Sequence, residues 1–175
     1  MLELDSTGKS KSFNLKQNAR LDFLGQIESL SVSDFKSRSD AINTHLNNIL
    51  KFESGSWGAF LSLKTEPDII WSNVSSSIDW FFVEIENEKL IFKNSSGQIK
   101  KVNQLDGIII PALGFNTNGQ RLGRGKGFYD RTLQDVIVKK IGVCFDLALS
   151  AEVPTESYDI KMNLIVTDQK ILSIN

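Results

Sequence analysis

At 175 residues, with 20 Lys and Arg against 21 Asp and Glu, one His and a formal net charge of −1, the chain fits one domain with a well-buried core. Charges that nearly cancel argue against wrapping around nucleic acid or adhering to an anionic membrane, so any positive site must be local. The single cysteine, Cys144, lies in the apolar run 141–145 and excludes an internal disulfide or a cysteine-clustered zinc site.

No window approaches the roughly 20 apolar residues of a membrane span, and residues 1–14 carry no apolar stretch suited to a signal peptide. The expectation is a soluble, cytoplasmic, monomeric protein without nucleic-acid or membrane partners. Residues 1–12 read as a frayed or tag-like tail, and residues 13–175 as one domain. From Leu15 to Glu28, Leu15, Ala19, Phe23, Leu24 and Ile27 recur at helical spacing. A second helix follows from Asp34 with Ser33 as N-cap, showing Phe35, Ile42, Leu46, Ile49 and Leu50 on one face. Residues 59–63 suit a buried strand, and residues 69–76 a short helix after Pro67. Residues 80–85 and 89–92 read as two strands joined by a tight turn at Asn87. Three nearly all-apolar strands, 107–110, 141–145 and 163–167, are of the kind covered on both faces, with a helix from Phe128 to Val138 between the first two. The pattern gives the fold class: α/β, a single-domain mixed, largely parallel sheet with helices on both faces and a β-hairpin.

The chemistry concentrates between Asp106 and Asp130. A buried strand ends at Pro111, a loop rich in Gly and Asn follows, and Arg121-Leu-Gly-Arg-Gly-Lys-Gly-Phe-Tyr-Asp130 opens a helix. Such a loop lies at the carboxyl end of a strand, where open α/β sheets bind ligands. Gly123, Gly125 and Gly127 let backbone N–H groups approach phosphate oxygens, and the helix start adds partial positive charge. Arg121, Arg124 and Lys126 supply charge-assisted hydrogen bonds for a polyphosphate or carboxylate. Asp130, amid these cations, suits Mg²⁺, which takes few protein oxygens and shares the rest of its shell with phosphates and water. The spacing fits neither a P-loop nor a Rossmann fingerprint. Without further context an isolated glycine turn would be solvated, Lys16 and Arg20 would be an exposed helix face, Glu66 a loop carboxylate, Phe128 and Tyr129 core aromatics, and His45 a surface or half-buried helix residue.

The ordered run from Leu105 to Arg131 resembles the signature of the 5-formyltetrahydrofolate cyclo-ligases. Lys16 and Arg20 are similar to that family's N-terminal ATP-binding pair, residues 60–66 to its folate-contacting strand and loop, and residues 141–146 through 153–159 to its C-terminal strand and loop. The resemblance implies ATP- and Mg²⁺-dependent closure of 5-formyltetrahydrofolate to 5,10-methenyltetrahydrofolate with release of ADP and phosphate. It implies ATP contacts from Lys16, Arg20, Arg121, Gly123, Gly125, Gly127 and Tyr129. Leu61, Glu66, Arg124, Gly125, Lys126, Gly127 and Phe128 would hold the folate, Arg124 and Lys126 acting in catalysis, with Asp130 and Asn163 on the metal. The chain departs from the family at residues 94–101, a short loop without proline, at Phe81-Phe82 where Pro-Arg is usual, and at Asn163 where an aspartate is usual. A diverged relative with little turnover, or one acting on another small molecule, is the alternative that these departures leave open.

Overall fold

The computed structural model describes residues 11–154, 156 and 159–174. Most of the tail expected at residues 1–12 lies outside them, although the first helix, α1, already includes Lys11 (Lys11–Glu28), and α2 follows at Val32–Leu50. The face of α1 matches the expected one at Phe23 and Ile27 and departs from it at the N-terminal end. Leu15 is exposed, whereas Lys16, Phe23 and Ile27 are buried, so the inward stripe runs Lys16, Arg20, Phe23, Ile27 at helical spacing. Helix α2 buries Ile42, Leu46 and Leu50 completely. Its N-cap is Ser31, whose Oγ accepts from the Asp34 N–H at 3.1 Å; Ser33 instead shares a hydrogen bond with Ser31.

The remaining elements are β1 (Gly55–Ala59), β2 (Ile78–Glu86), β3 (Lys89–Lys93), β4 (Ile99–Lys100), β5 (Gly107–Pro111), β6 (Gly114–Phe115), β7 (Arg121–Leu122), α3 (Phe128–Leu133), β8 (Lys139–Val143), β9 (Leu164–Val166) and β10 (Ile171–Ser173). The strand expected at 59–63 therefore ends where it was to begin, and the helix expected at 69–76 is a single 3₁₀ turn at Trp71–Asn73. The helix expected at 128–138 stops at Leu133, where Gln134 turns extended with ψ 132° and Asp135 follows with a left-handed φ of 60°.

The main sheet has the order β10-β9-β8-β5-β1-β2-β3-β4. Strands β9, β8, β5, β1 and β2 run parallel, with antiparallel β10 at one edge and β3 and β4 at the other. Both faces are covered. Ile109, Ile141, Val143 and Val166 pack with α2, while Ile108, Ile110, Cys144 and Ile165 pack with Leu133 of α3. That arrangement explains why β5 is apolar at every position instead of alternating. Burial also raises the pKa of the Cys144 thiol, so it behaves as a small apolar side chain. No described helix is long and apolar enough to cross a membrane.

The chain leaves β1 toward β2 on one side and, after β4, returns to the other side of β1 at β5. Loops that follow β1 and β5 must diverge from this point, leaving a crevice at the carboxyl ends of the two strands.

Candidate active site

Two cavities occupy that crevice, and they share Arg121 and Gly127. One, of about 340 Å³, is walled by Phe60, Leu61, Leu63, Val83, Ile85, Phe128 and Tyr129, with Glu66, Arg124 and Lys126 among its polar groups. The other, of about 240 Å³, is mainly charged: Lys16, Arg20, Arg121, Asp130, Glu156 and Asp159 line it together with Gly123 and Gly125.

The glycine segment is held open from both ends. Upstream, β6 and β7 form a small hairpin whose turn is organised by Asn116: its Oδ1 accepts from the N–H groups of Asn118 (3.0 Å) and Gln120 (2.8 Å). Downstream, Gly127 takes a left-handed φ of 66° at the start of α3, and its carbonyl accepts from the Arg131 N–H at 3.0 Å. Gly125, between them, has φ 96°, a conformation unfavourable to any residue with a Cβ. Helix α3 has only six residues, so its dipole adds less to the cradle than the expected longer helix would.

Arg121 is the fixed point. Its Nε donates to the Pro111 carbonyl at 2.9 Å, its guanidinium stacks 4.7 Å from the Tyr129 ring centre, and Nη1 lies 3.7 Å from Asp130 Oδ2. A Cβ on Gly123 would come within 2.4 Å of Nη1, so a glycine is needed there for the guanidinium to lie flat against the loop. Burial lowers the pKa of Arg121, with the Asp130 charge opposing the shift; a guanidinium remains cationic regardless. Tyr129 is driven above its ordinary value by the same burial, against the pull of Arg121, and stays a neutral phenol.

Helix α1 completes the charged cavity. Phe23 packs with Leu122, Ala148 and Val153 and leaves no room for a side chain at Gly114, which fixes the helix over the β6–β7 hairpin. The inward stripe then delivers Arg20, whose Nε donates to the Gly123 carbonyl at 2.8 Å. It also delivers Lys16, whose ammonium lies 2.9 Å from Glu156 Oε2 and 2.7 Å from Asp159 Oδ2. Desolvation lowers the Lys16 pKa, but the hydrogen bonds and charges of Asp159 and Glu156 outweigh it and leave the group raised.

In the apolar cavity, buried Glu66 accepts from the Leu63 N–H at 3.0 Å through Oε2 and from Arg124 Nε at 3.2 Å through Oε1. Arg124 Nη2 also donates to Thr65 Oγ1 at 2.7 Å. Leu61 and Leu63 remain 69% and 54% exposed, forming an apolar lip at the mouth. Lys126 is exposed beside them, and its carbonyl accepts from Arg131 Nη1 at 2.9 Å.

Asp130 fits a divalent cation on one specific ground. Its Oδ1 is buried and has no hydrogen-bond partner among the described residues, an arrangement that costs free energy unless a cation or donor compensates. No three His, Cys, Asp or Glu side chains among the described residues form a ready-made metal cage; Mg²⁺ held with a nucleotide needs only one or two protein carboxylates. Asn163 is not part of this cavity. Its Oδ1 accepts from the Lys140 N–H at 2.7 Å, tying the start of β9 to the start of β8, at the opposite ends of the strands. The second carboxylate of the cavity is instead Asp159, with Glu156 beside it, neither of which the sequence singles out as a ligand. Both lie in the stretch 153–159 that resembles the family's C-terminal loop, but no local pattern marks either acid as a ligand. His45 is half-buried, its Nδ1 2.8 Å from the Thr167 carbonyl, and is remote from both cavities.

Fold and site together define a largely parallel-sheet α/β protein with a glycine-lined charged cavity and an apolar cavity meeting at a topological switch point. Residues 92–168 match the model of the 5-formyltetrahydrofolate cyclo-ligase family. The 5-formyltetrahydrofolate cyclo-ligase of Escherichia coli K12 is 40% identical over 73 residues, a stretch covering 40% of this chain and 40% of that protein, so the match spans well under two thirds of the relative. The fold extends further. A 5,10-methenyltetrahydrofolate synthetase structure from Mycoplasma pneumoniae superposes with a TM-score of 0.79 and 24% identity over 87% of this chain and 98% of that one. One from Aquifex aeolicus superposes with a TM-score of 0.81 and 22% identity over 92% and 93%. Over residues 92–168, the segment that holds the glycine cradle, the chain is similar to the 5-formyltetrahydrofolate cyclo-ligase family.

Proposed function

We propose that the protein is an ATP-dependent ligase that converts 5-formyltetrahydrofolate to 5,10-methenyltetrahydrofolate, releasing ADP and phosphate. The single observation that carries this reading is the pair of cavities joined at Arg121 and Gly127: one suits a flat, largely apolar ring system with a buried carboxylate to orient it, the other a polyphosphate. Lys16, Arg20 and Arg121 bind the phosphates with the N–H groups of the glycine cradle, and Tyr129 backs Arg121. Phe60, Leu61 and Phe128 hold the pterin, and Glu66 accepts hydrogen bonds from its ring nitrogens.

The formyl oxygen attacks the γ-phosphorus and ADP leaves; N10 then adds to the activated formyl carbon, and phosphate carries that oxygen away. Arg124 and Lys126 act at the meeting point, where charge spreads over the transferring phosphoryl group, so positioning and charge neutralisation dominate. Asp130 and Asp159 would hold Mg²⁺, which when bound neutralises the polyphosphate. Such an enzyme works as a monomer in the cytoplasm and needs no nucleic acid or membrane.

The test is absorbance of the methenyl product after mixing the protein with 5-formyltetrahydrofolate, ATP and Mg²⁺. Formation that stops when ATP or Mg²⁺ is omitted is expected. Absence of product from folded protein would overturn the assignment.

A further inference from the structure

The charges of the polar cavity are already balanced. Among its described lining residues, Lys16, Arg20 and Arg121 oppose Asp130, Glu156 and Asp159. Lys16 is the most tightly engaged, with Nζ at 2.9 Å from Glu156 Oε2 and at 2.9 and 2.7 Å from the two Asp159 oxygens, its side chain 9% exposed. An ammonium at these distances blocks the lone pairs that a divalent cation would use. It cannot simply withdraw, because a buried cation needs another anion. A polyphosphate brought in with the metal is such an anion, and Lys16 lines the cavity that would receive it. The residue projects from the same face of α1 as Arg20, which already touches the cradle at the Gly123 carbonyl, and a lysine swings its point charge on a flexible four-carbon stem.

We propose that Lys16 is an exchangeable internal counter-cation. It neutralises Asp159 and Glu156 in the arrangement seen here and passes to the nucleotide phosphates as a divalent cation takes its place, so that metal and nucleotide bind as a coupled pair. This rests on the reading of the polar cavity as a metal–nucleotide site. A lysine that merely clips α1 to the segment around residue 156 would give stability and no such coupling.

Two variants separate these outcomes. Lys16→Met removes the competing cation, so Mn²⁺ alone, measured by electron paramagnetic resonance of the free ion, should bind at least about tenfold tighter than to wild type, within the usual span of coupling between sites. Asp159→Asn releases Lys16 while an amide oxygen can still accept from the Glu156 N–H, now 2.6 Å from the carboxylate. ATP in EDTA, followed by titration calorimetry, should then bind about fivefold or more tighter, and the metal–nucleotide complex more weakly. Unchanged Mn²⁺ affinity in Lys16→Met, or metal-free ATP binding that is unchanged or weaker in Asp159→Asn, overturns the exchange. If Lys16→Met does not fold, Lys16→Gln and the Asp159 arm decide it. Wild type whose melting temperature ignores Mg·ATP overturns the site reading itself, whereas wild type that responds while neither variant gains affinity overturns the exchange alone.

Discussion

Arg124 ties the glycine cradle to the segment after β1 through one side chain. It starts in the glycine cradle and reaches Thr65 and Glu66, in the segment that follows β1. Glu66 is 5% exposed, so the pair is an orienting contact for a carboxylate that would otherwise be left poorly compensated. In the proposed reaction this guanidinium, lining the apolar cavity next to the shared Gly127, would meet charge developing on the γ-phosphate. Arg124→Ala should therefore lower kcat and kcat/KM together, on the order of 10²-fold if it behaves as the loss of one preorganised donor. Steady-state kinetics beside a melting curve check this: a folded variant with unchanged kcat removes Arg124 from the chemistry. Thr65, which fixes this guanidinium, was legible only as part of the 60–66 resemblance, because a threonine in a polar loop is ordinary until its partner is known.

At the scale of elements, what the sequence made legible is what local pattern controls. Strand β5 is a run of apolar residues bounded by Gly107 and Pro111, and the β2–β3 hairpin is β-formers around Asn87 and Glu88, which take left-handed φ values of 47° and 61° as a tight turn requires. Strand β1 was illegible for the opposite reason. Its sequence, Gly-Ser-Trp-Gly-Ala, looks like a turn, and its glycines are there because neighbours crowd them: a Cβ on Gly58 would stand 3.0 Å from Ile108 and from Phe92. Tertiary packing overrides propensity at such positions. Helix α1 was read correctly at Phe23 and Ile27 but not at its N-terminal end, where Leu15 is exposed and the inward stripe carries cations that face a cavity. Gly107 gives a direct test of the crowding, since a Cβ there would lie 2.3 to 2.5 Å from the Trp57 ring. Gly107→Ala should cost about 1–3 kcal/mol or more as the ring is forced aside. Urea denaturation measures it, and a neutral result would mean that Trp57 has space to move.

For the whole molecule, the order of strands decides where chemistry can occur. Because β2 and β5 flank β1 on opposite sides, the segments after β1 and β5 part over the sheet, and α1 closes the gap from above with Lys16 and Arg20. Local pattern made the cradle readable from Arg121 to Asp130, and the family resemblance added Lys16, Arg20, Leu61 and Glu66, which line the two cavities. The cradle's partners Glu156 and Asp159 come from a segment far along the chain, and only the return of the chain over β6 and β7 brings them near. The proposed reaction makes the two cavities one active site in which the formyl oxygen is handed to phosphorus. Its most direct test is isotopic: 5-formyltetrahydrofolate labelled with ¹⁸O in the formyl group, incubated with the protein and Mg·ATP, with the products read by mass spectrometry. Label recovered in inorganic phosphate in step with methenyl formation is the predicted result, and methenyl product formed with the label lost to water would contradict it.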